Sequence, residues 1–441
     1  MSQPVTRILP RQAGWGTGLI ALALLAASTG TARAEEDCDD GHPIGGGLCL
    51  SASLTGDGFG NLTGGVRRGV TATGLGQAAI TGEIGDSGWR FNASAYAIYG
   101  QQSTRRLAGS LTPPSNIEAV STLRLNELWL EHDLGSWGSI RFGQIAADTE
   151  FTTADTAKML ISYNWPTALS TALPGGGAAY PLAVPGVRLE LGEPDKSTGL
   201  RLGLLGGNPA GQYADDTDPQ KHNRYGTNFS VSGGAFLIGE ASTGAAPVED
   251  GSRPWVLKLG AWFHSASTES QRWDTMGLSL ANPASNGQPR RYDNNGGGYL
   301  VAEGVLWRGD ESSLGVFTRL FAQPADRNLV SRQVDLGLAW RGPFGRADDT
   351  ISLGLIQARV GRDARDLDRD RQALGETWPR RDQETLVELN YDWAAIPDRL
   401  SLRPLVQWIH HPAARTPDDR VSPDRPMKDA LLVGMRVTLT Y

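Results

Sequence analysis

Ala430-Leu431-Leu432-Val433-Gly434-Met435-Arg436-Val437-Thr438-Leu439-Thr440-Tyr441 closes the chain, and its reading decides the fold. Leu431, Val433, Met435, Val437, Leu439 and Tyr441 recur at period two on one face, while Gly434, Arg436, Thr438 and Thr440 take the other. Successive side chains of a strand point to opposite faces, so this is a strand with one apolar and one polar side. The same sorting sets Val334, Leu336, Leu338 and Trp340 against Gln333, Asp335 and Arg341, and Val387, Leu389, Tyr391 and Trp393 against Glu388, Asn390 and Asp392. In 122–133 and 298–307 apolar residues fall on both faces, which leaves Glu127 and Glu303 without an assigned side. Sixteen such segments run from 59–68 to 428–441, one of them at 226–238.

The links between segments alternate in length. Short ones at Gly85-Asp86-Ser87-Gly88, at Gly135-Ser136-Trp137-Gly138 and around Pro194, Gly309-Asp310, Pro343 and Pro397-Asp398 are interleaved with long polar ones at 100–119, 147–185, 207–225, 264–297, 360–383 and 411–427. Transmembrane barrels sort their links in this way, with short periplasmic turns and long outward loops. A bilayer offers no water to unpaired backbone groups, so a sheet within it must close on itself. An even strand count puts both chain ends on the short-turn side, with Tyr441 at the periplasmic rim. Two links break the rule: 239–253 is long for a turn, and the one near Gly69 is short for an outward loop. Tyr99, Trp307, Trp340, Tyr391, Trp393, Trp408 and Tyr441 suit two interfacial girdles. The expected fold class is all-β, a 16-stranded antiparallel transmembrane β-barrel with short periplasmic turns and long extracellular loops. A soluble secreted β-protein is the alternative.

Composition narrows the remaining classes. The 441 residues are 39% hydrophobic and 20% charged, with two cysteines. Beyond the N-terminal stretch no apolar run nears the roughly 18–20 residues of a spanning helix. The cysteine count excludes a disulfide scaffold, and the spread of Trp, Tyr, Leu and Val excludes low-complexity disorder. Residues 1–34 read as a secretory signal peptide: Arg7 and Arg11, an apolar run from Leu19 to Ala27, and Ala32-Arg33-Ala34 as the cleavage site. The expected organisation is then a short periplasmic segment at 35–58 and the barrel at 59–441, in the outer membrane of a Gram-negative bacterium. Cleavage removes three arginines and no acid, leaving 38 of 41 basic residues against 48 acidic ones, a formal charge of −10. Nucleic acid, which is bound through clustered basic charge, is not an expected partner. Cys38 and Cys49 lie close in sequence in an oxidising compartment and are expected to form a disulfide, the alternative being two free thiols.

The stretch from Leu173 to Arg188 (LPGGGAAYPLAVPGVR) resembles the carbohydrate-selective outer-membrane porins of the OprB family. So do Gly56 to Gly69 (GDGFGNLTGGVRRG), Glu384 to Tyr391 (ETLVELNY) and Leu400 to Pro412 (LSLRPLVQWIHHP), in order along nearly the whole chain after the signal. The resemblance implies a sixteen-stranded barrel whose inward-folded loops narrow a polar pore that passes sugars by facilitated diffusion. The chain departs from the family in its final Tyr, where Phe is commoner, and in the cysteine pair.

A sixteen-stranded barrel is wide enough for an aqueous channel, so selectivity falls to whatever intrudes. The long link 147–185, with Trp165-Pro166 and Pro174-Gly175-Gly176-Gly177, is the expected intruder. Sugars present hydroxyls around an apolar ring face, which calls for Arg and carboxylate hydrogen bonding beside an aromatic surface. Inward positions include Arg141, Arg188, Glu190, Arg201, Lys258, Asp335, Glu388, Asn390, Arg403 and Arg436. Arg141, Arg188, Glu388 and Asn390 are the candidate substrate-binding residues, with Trp165 as the stacking surface; each could instead be a wetted lumen residue or a buttress of the wall.

Catalytic patterns are weak. Gly85-Asp86-Ser87-Gly88 copies a protease nucleophile motif, but Trp89-Arg90 breaks it and a tight turn explains it. Gly74-Leu75-Gly76-Gln77-Ala78-Ala79 continues into strand-like sequence rather than a helix. The six His lack metal-ligand spacing, and no metal or other cofactor is indicated. Two other functions compete with a sugar porin: a general or anion-selective pore, the acidic balance arguing weakly against anion preference, and a barrel lipase or deacylase, which would need His132 or His264 beside a serine. The Asp/Arg alternation from Arg362 to Arg371 could bridge lipopolysaccharide or cations, or be a solvated loop. The expected partners are small sugars and the lipid and lipopolysaccharide of the outer membrane, with monomer and homotrimer both open.

Overall fold

The computed structural model describes residue 38 and residues 41–193, 198–213, 218–248 and 253–441; the expected signal peptide lies outside the described residues. Sixteen strands form the wall: β1 (Leu48–Thr63), β2 (Gly69–Glu83), β3 (Trp89–Gly100), β4 (Thr122–Asp133), β5 (Gly138–Ile145), β6 (Val184–Gly192), β7 (Gly199–Gly206) and β8 (Ala235–Gly244). They continue as β9 (Trp255–His264), β10 (Asn295–Arg308), β11 (Ser313–Ala322), β12 (Val330–Arg341), β13 (Thr350–Val360), β14 (Gln383–Ile396), β15 (Leu400–His410) and β16 (Ala430–Thr440). Each pairs antiparallel with the next, and β16 returns to β1 with partners from Ser53↔Thr440 to Thr63↔Leu431, closing the barrel.

Two boundaries differ from the sequence reading, both because of glycine. β1 begins at Leu48, so residues 48–58, read as a periplasmic segment, belong to the wall. Gly56, Gly58 and Gly60 blur the alternation there, although Thr55, Asp57, Phe59 and Asn61 are buried and Leu54 is exposed. The strand read at 226–238 is instead Ala235–Gly244, because Gly226, Gly233 and Gly234 adopt φ of +71°, +79° and +94°, outside extended geometry. Residues 226–234 join the long link, and the turn read at 239–253 shortens to 245–254. Before β1, His42–Gly45 pairs back on Leu48–Leu50, and a disulfide joins Cys38 to Cys49 with Cα atoms 5.8 Å apart. At the same end Tyr441 N donates to Ala52 O at 2.9 Å, and its ring lies 4.7 Å from His42.

Burial alternates strictly along β9, where Leu257, Leu259 and Phe263 are exposed while Val256, Lys258, Trp262 and His264 are buried. Leu336, Leu338, Leu353, Leu389, Val406, Val433 and Met435 extend this exposed apolar surface around the wall. An apolar band of that extent is the lipid-facing surface of a membrane barrel. β4 shows why its period failed in the sequence. Its pairing with β3 slips between Ala93↔Leu128 and Ala95↔Leu125, so a bulge resets the phase. Arg124 and Asn126 before it and Glu127 and Glu131 after it are all buried on the inner side.

Up to the bulge β4 has no strand neighbour on one side, because the pairing with β5 starts only at Leu128↔Gln144. The link 207–234 fills the seam. Leu125 N donates to Tyr225 O at 3.0 Å, and Gln144 Nε2 donates to Asn126 O at 2.7 Å and Gly226 O at 2.9 Å. A Cβ on Gly226 would sit 1.9 Å from Leu125 O. Gly226→Ala is therefore expected to destabilise the barrel by more than the roughly 1–3 kcal/mol of a strained backbone alone, read as a lower thermal midpoint. Gly287→Ala is the control, since Gly287 has a similar φ of +72° and nothing within 4 Å; equal midpoints for the two variants would contradict the seam.

Candidate constriction site

The link 146–183 folds into the barrel as a chain of short helical turns, including Thr156–Met159 and Thr167–Ala172. Its Phe151, Leu160, Trp165, Leu169 and Leu173 form one core with the wall residues Phe236, Ile238, Trp262, Tyr299, Val301, Phe317 and Phe321. Apolar residues occur on the inner face of β10 because the loop lies there, which accounts for the second segment of mixed period. Trp165 is 8% exposed within this core, so its ring packs the loop rather than facing the channel.

An irregular loop carries N–H groups with no ladder to pair them, and a buried unpaired amide is costly. The wall supplies acceptors. Glu127 takes Ala146 N, Glu240 takes Thr152 N, Glu303 takes Asp155 N and Thr156 N, Glu388 takes Ile161 N and Ser162 N at 2.7 and 2.8 Å, and Gln333 takes Ala168 N. Glu127 and Glu303, unassigned from sequence, thus both point inward. Glu384 does the same for the link 101–121, accepting from Leu111 N and Thr112 N at 2.7 Å each.

Glu388 and Asn390 are brought together. Asn390 Nδ2 donates to Glu388 Oε1 at 2.7 Å and to Met159 O at 3.0 Å, and Gln407 Nε2 donates to Glu388 Oε2 at 2.9 Å. Glu388 is 0% exposed, with both oxygens occupied. These two residues hold the loop against the wall, the buttressing alternative weighed above, and they do not meet Arg141 or Arg188.

Arg141 and Arg188 form a separate cluster. Arg188 bridges Glu131 at 2.6 Å and Glu150 of the loop at 2.8 Å, and donates to Ser139 Oγ at 2.6 Å. Arg141 pairs with the same two carboxylates and lies 3.7 Å over the Trp129 ring. Arg90 pairs with Glu131 from a half-exposed position, and Arg201 pairs with Glu190 at 2.7 Å. Trp129 and Glu131 escaped the sequence reading because they follow the bulge, and Glu150 because it lies on the loop. The other inward positions are also engaged: Asp335 with Arg319, Arg403 with Asp392, Arg436 with Asp57, and Lys258 with Thr153 O. On the loop, Asp155 and Lys158 pair at 2.7 Å with both side chains largely exposed.

The histidines required by a hydrolase are occupied by backbone. His264 Nε2 meets Gly207 O at 2.8 Å while Nδ1 accepts from Ala266 N, and His132 Nδ1 meets Gly88 O at 3.2 Å.

Two half-buried loop acids, Glu118 and Asp148, carry raised pKa values from which a pH dependence is expected. Burial pushes Glu118 up to about 7 against its hydrogen bonds from Thr104, and Asp148 up to about 6 against its bond from Tyr180 N. The docked loops bind these protons more tightly than undocked loops would, so docking is strongest below the ordinary carboxylate range and weakens as pH rises through about 6 to 7. Single-channel conductance is expected to fall, with fewer excursions to larger openings, on acidification across that window. A conductance flat from about pH 8 to about pH 5 would contradict it.

The family profile described as carbohydrate-selective porin, OprB family, matches residues 83–441. Among solved structures, the high-pH structure of Pseudomonas putida OprB superimposes with a TM-score of 0.73 at 17% identity, covering 90% of this chain and 94% of that one. The outer membrane channel DcaP of Acinetobacter baumannii gives a TM-score of 0.50 at 13% identity, covering 91% and 100%. Salmonella typhi OmpF, in complex with daunomycin, gives 0.51 at 10% identity, covering 89% and 97%. At these identities the structural likenesses show the fold. No curated protein sequence matches.

Proposed function

The chain belongs to the OprB family of carbohydrate-selective porins, and from that premise we propose how its constriction selects sugars. It is a sugar porin of the Gram-negative outer membrane, a channel rather than an enzyme by family and fold. Small sugars, monosaccharides among them, pass by facilitated, passive diffusion. The long loops face outward and the short turns face the periplasm, and the protein reaches the membrane after its signal peptide is cleaved. Lipid and lipopolysaccharide surround the wall.

The observation that carries the mechanism is the guanidinium–carboxylate array linking β3 to β7 with the inserted loop through Glu150. A sugar exchanges its hydration for donors and acceptors already fixed in place, which lowers the ordering cost of binding. Arg90, Arg141 and Glu190 keep exposed surface and meet the hydroxyls, beside the apolar body of Trp129. Arg188, Glu388, Asn390 and Trp165 act behind them by fixing the loop. The donors and acceptors are nearly balanced in charge, which favours neutral polyols over ions. Swelling of liposomes containing the protein tests this: a neutral hexose should enter faster than an amino acid of similar size, and equal rates would overturn the selectivity in favour of a general pore.

A further inference from the structure

The outer surface of the wall carries a second charged feature at the long-loop end. A cleft of about 930 Å³ opens there between the ends of β10 to β13 and the helix Arg362–Ala373, and four arginines line it: Arg332, Arg359, Arg362 and Arg365. Arg332 and Arg359 are direct cross-strand partners. Their chain neighbours Ser331, Gln333, Ala358 and Val360 are buried on the inner side, so both guanidinium groups point outward. Like charges directly opposite on a sheet repel. Among the described residues neither makes an ion pair. Arg365 Nε is buried without a hydrogen-bond partner, and burial, then the charges of Arg359, Arg380 and Arg369, hold this guanidinium below its usual range. The one acid of the cleft, Asp326, is engaged by Arg327 at 2.9 Å, and Arg362 is paired with Asp363 at 3.0 Å. Asp363 offsets Arg362 and Asp366 partly offsets Arg365, so the positive charge left without a carboxylate partner in the cleft is that of Arg332 and Arg359.

Its height on the wall says what kind of anion fits. Below Arg332 the outward positions of β12 are Val334, Leu336, Leu338 and Trp340; below Arg359, those of β13 are Gln357, then Leu355, Leu353 and Ile351. From Arg332 to Trp340 is roughly 26 Å of strand, or about 20 Å of height after tilting, close to the apolar band of about 25 Å in such barrels. The arginines thus stand at headgroup depth above a ladder that is apolar but for Gln357. An amphiphile with a phosphate head and acyl tails matches both parts. We propose that this cleft binds a phosphate group of outer-leaflet lipopolysaccharide, with the acyl chains lying along Val334, Leu336 and Leu355. The proposal rests on the outward orientation of the long loops but not on sugar selectivity.

Native mass spectrometry of the detergent-solubilised full-length protein, titrated with bisphosphorylated lipid A, tests the site. The unaltered protein should show a saturable lipid adduct. Affinity should fall about tenfold or more in Arg332→Gln/Arg359→Gln, and by a similar factor when the lipid is dephosphorylated, since charge-assisted hydrogen bonds to phosphate carry the contact. Arg359→Gln alone, which relieves the repulsion, should fold as well as the parent and bind more weakly. Heat-resistant migration of the variants and unchanged hexose swelling separate loss of this site from loss of the channel. Equal binding by the double variant, or by dephosphorylated lipid, would overturn the proposal. Displacement of the lipid by millimolar inorganic phosphate would also overturn it, assigning the cleft to free phosphate.

Discussion

Glu388→Ala is expected to enlarge the channel and abolish sugar block, although Glu388 has no exposed surface with which to touch a sugar. Its carboxylate receives Ile161 N, Ser162 N, Asn390 Nδ2 and Gln407 Nε2. Alanine leaves all four donors without that acceptor in the interior. Each hydrogen bond to a charge is worth about 1.5–3 kcal/mol, so even partial rescue by water leaves a loss near 3 kcal/mol, about a hundredfold in the docking equilibrium of the loop. The barrel itself should persist, because the wall ladder does not depend on this side chain. Single-channel recording would show larger and noisier openings with no hexose-dependent block. Glu388→Gln, which keeps one acceptor oxygen, should fall between. A normal open level combined with weakened sugar affinity would instead mean that Glu388 contacts the substrate.

Arg188→Ala should shift the ion preference toward cations and remove sugar discrimination. Arg188 is 4% exposed and bridges Glu131 and Glu150, so its loss leaves two carboxylates dependent on Arg141, with Arg90 reaching only Glu131. Removing one partner of a buried pair costs about 3–5 kcal/mol, and here the surplus negative charge stays beside the loop that narrows the channel. The reversal potential in a salt gradient reads the shift directly. Arg188→Lys should not restore the parent behaviour, because a single ammonium cannot span two carboxylates as the planar guanidinium does. Arg90→Ala is the contrasting variant: Arg90 is itself half exposed and leaves Glu131 its two other arginines, so its effect on the ion preference should stay within about 1 kcal/mol. An unchanged reversal potential in Arg188→Ala would contradict the charge balance assigned to the network.

Period two carried the wall wherever the inner face stayed largely polar, as in β12 and β16. It failed where a third demand entered. In β4 the bulge put Glu127 and Trp129 on the inner face out of phase with Arg124. In β10 the inner face had to be apolar at Tyr299 and Val301 to receive the loop. The glycines of 226–234 looked extended by composition but turn the chain. The constriction was legible only in part. Arg141 and Arg188 could be placed inward and do meet, but their shared carboxylates lie after a bulge and on a loop, where spacing carries no information about contact. Glu388 and Asn390 share a face two residues apart, yet nothing in that spacing says that loop amides rather than sugar hydroxyls occupy them. The charged wall residues hold a loop first and form a pore second, and a sequence pattern records only that they point inward.

The central claim is that the inserted loop and its guanidinium–carboxylate array make a sugar-binding constriction. Single-channel conductance of the refolded full-length protein in a planar bilayer, with glucose, a disaccharide and an amino acid titrated in turn, tests it most directly. The account predicts saturable block by glucose that the amino acid does not produce and that disappears in Arg141→Ala. An open conductance indifferent to all three solutes, or an equal block by each, would contradict it.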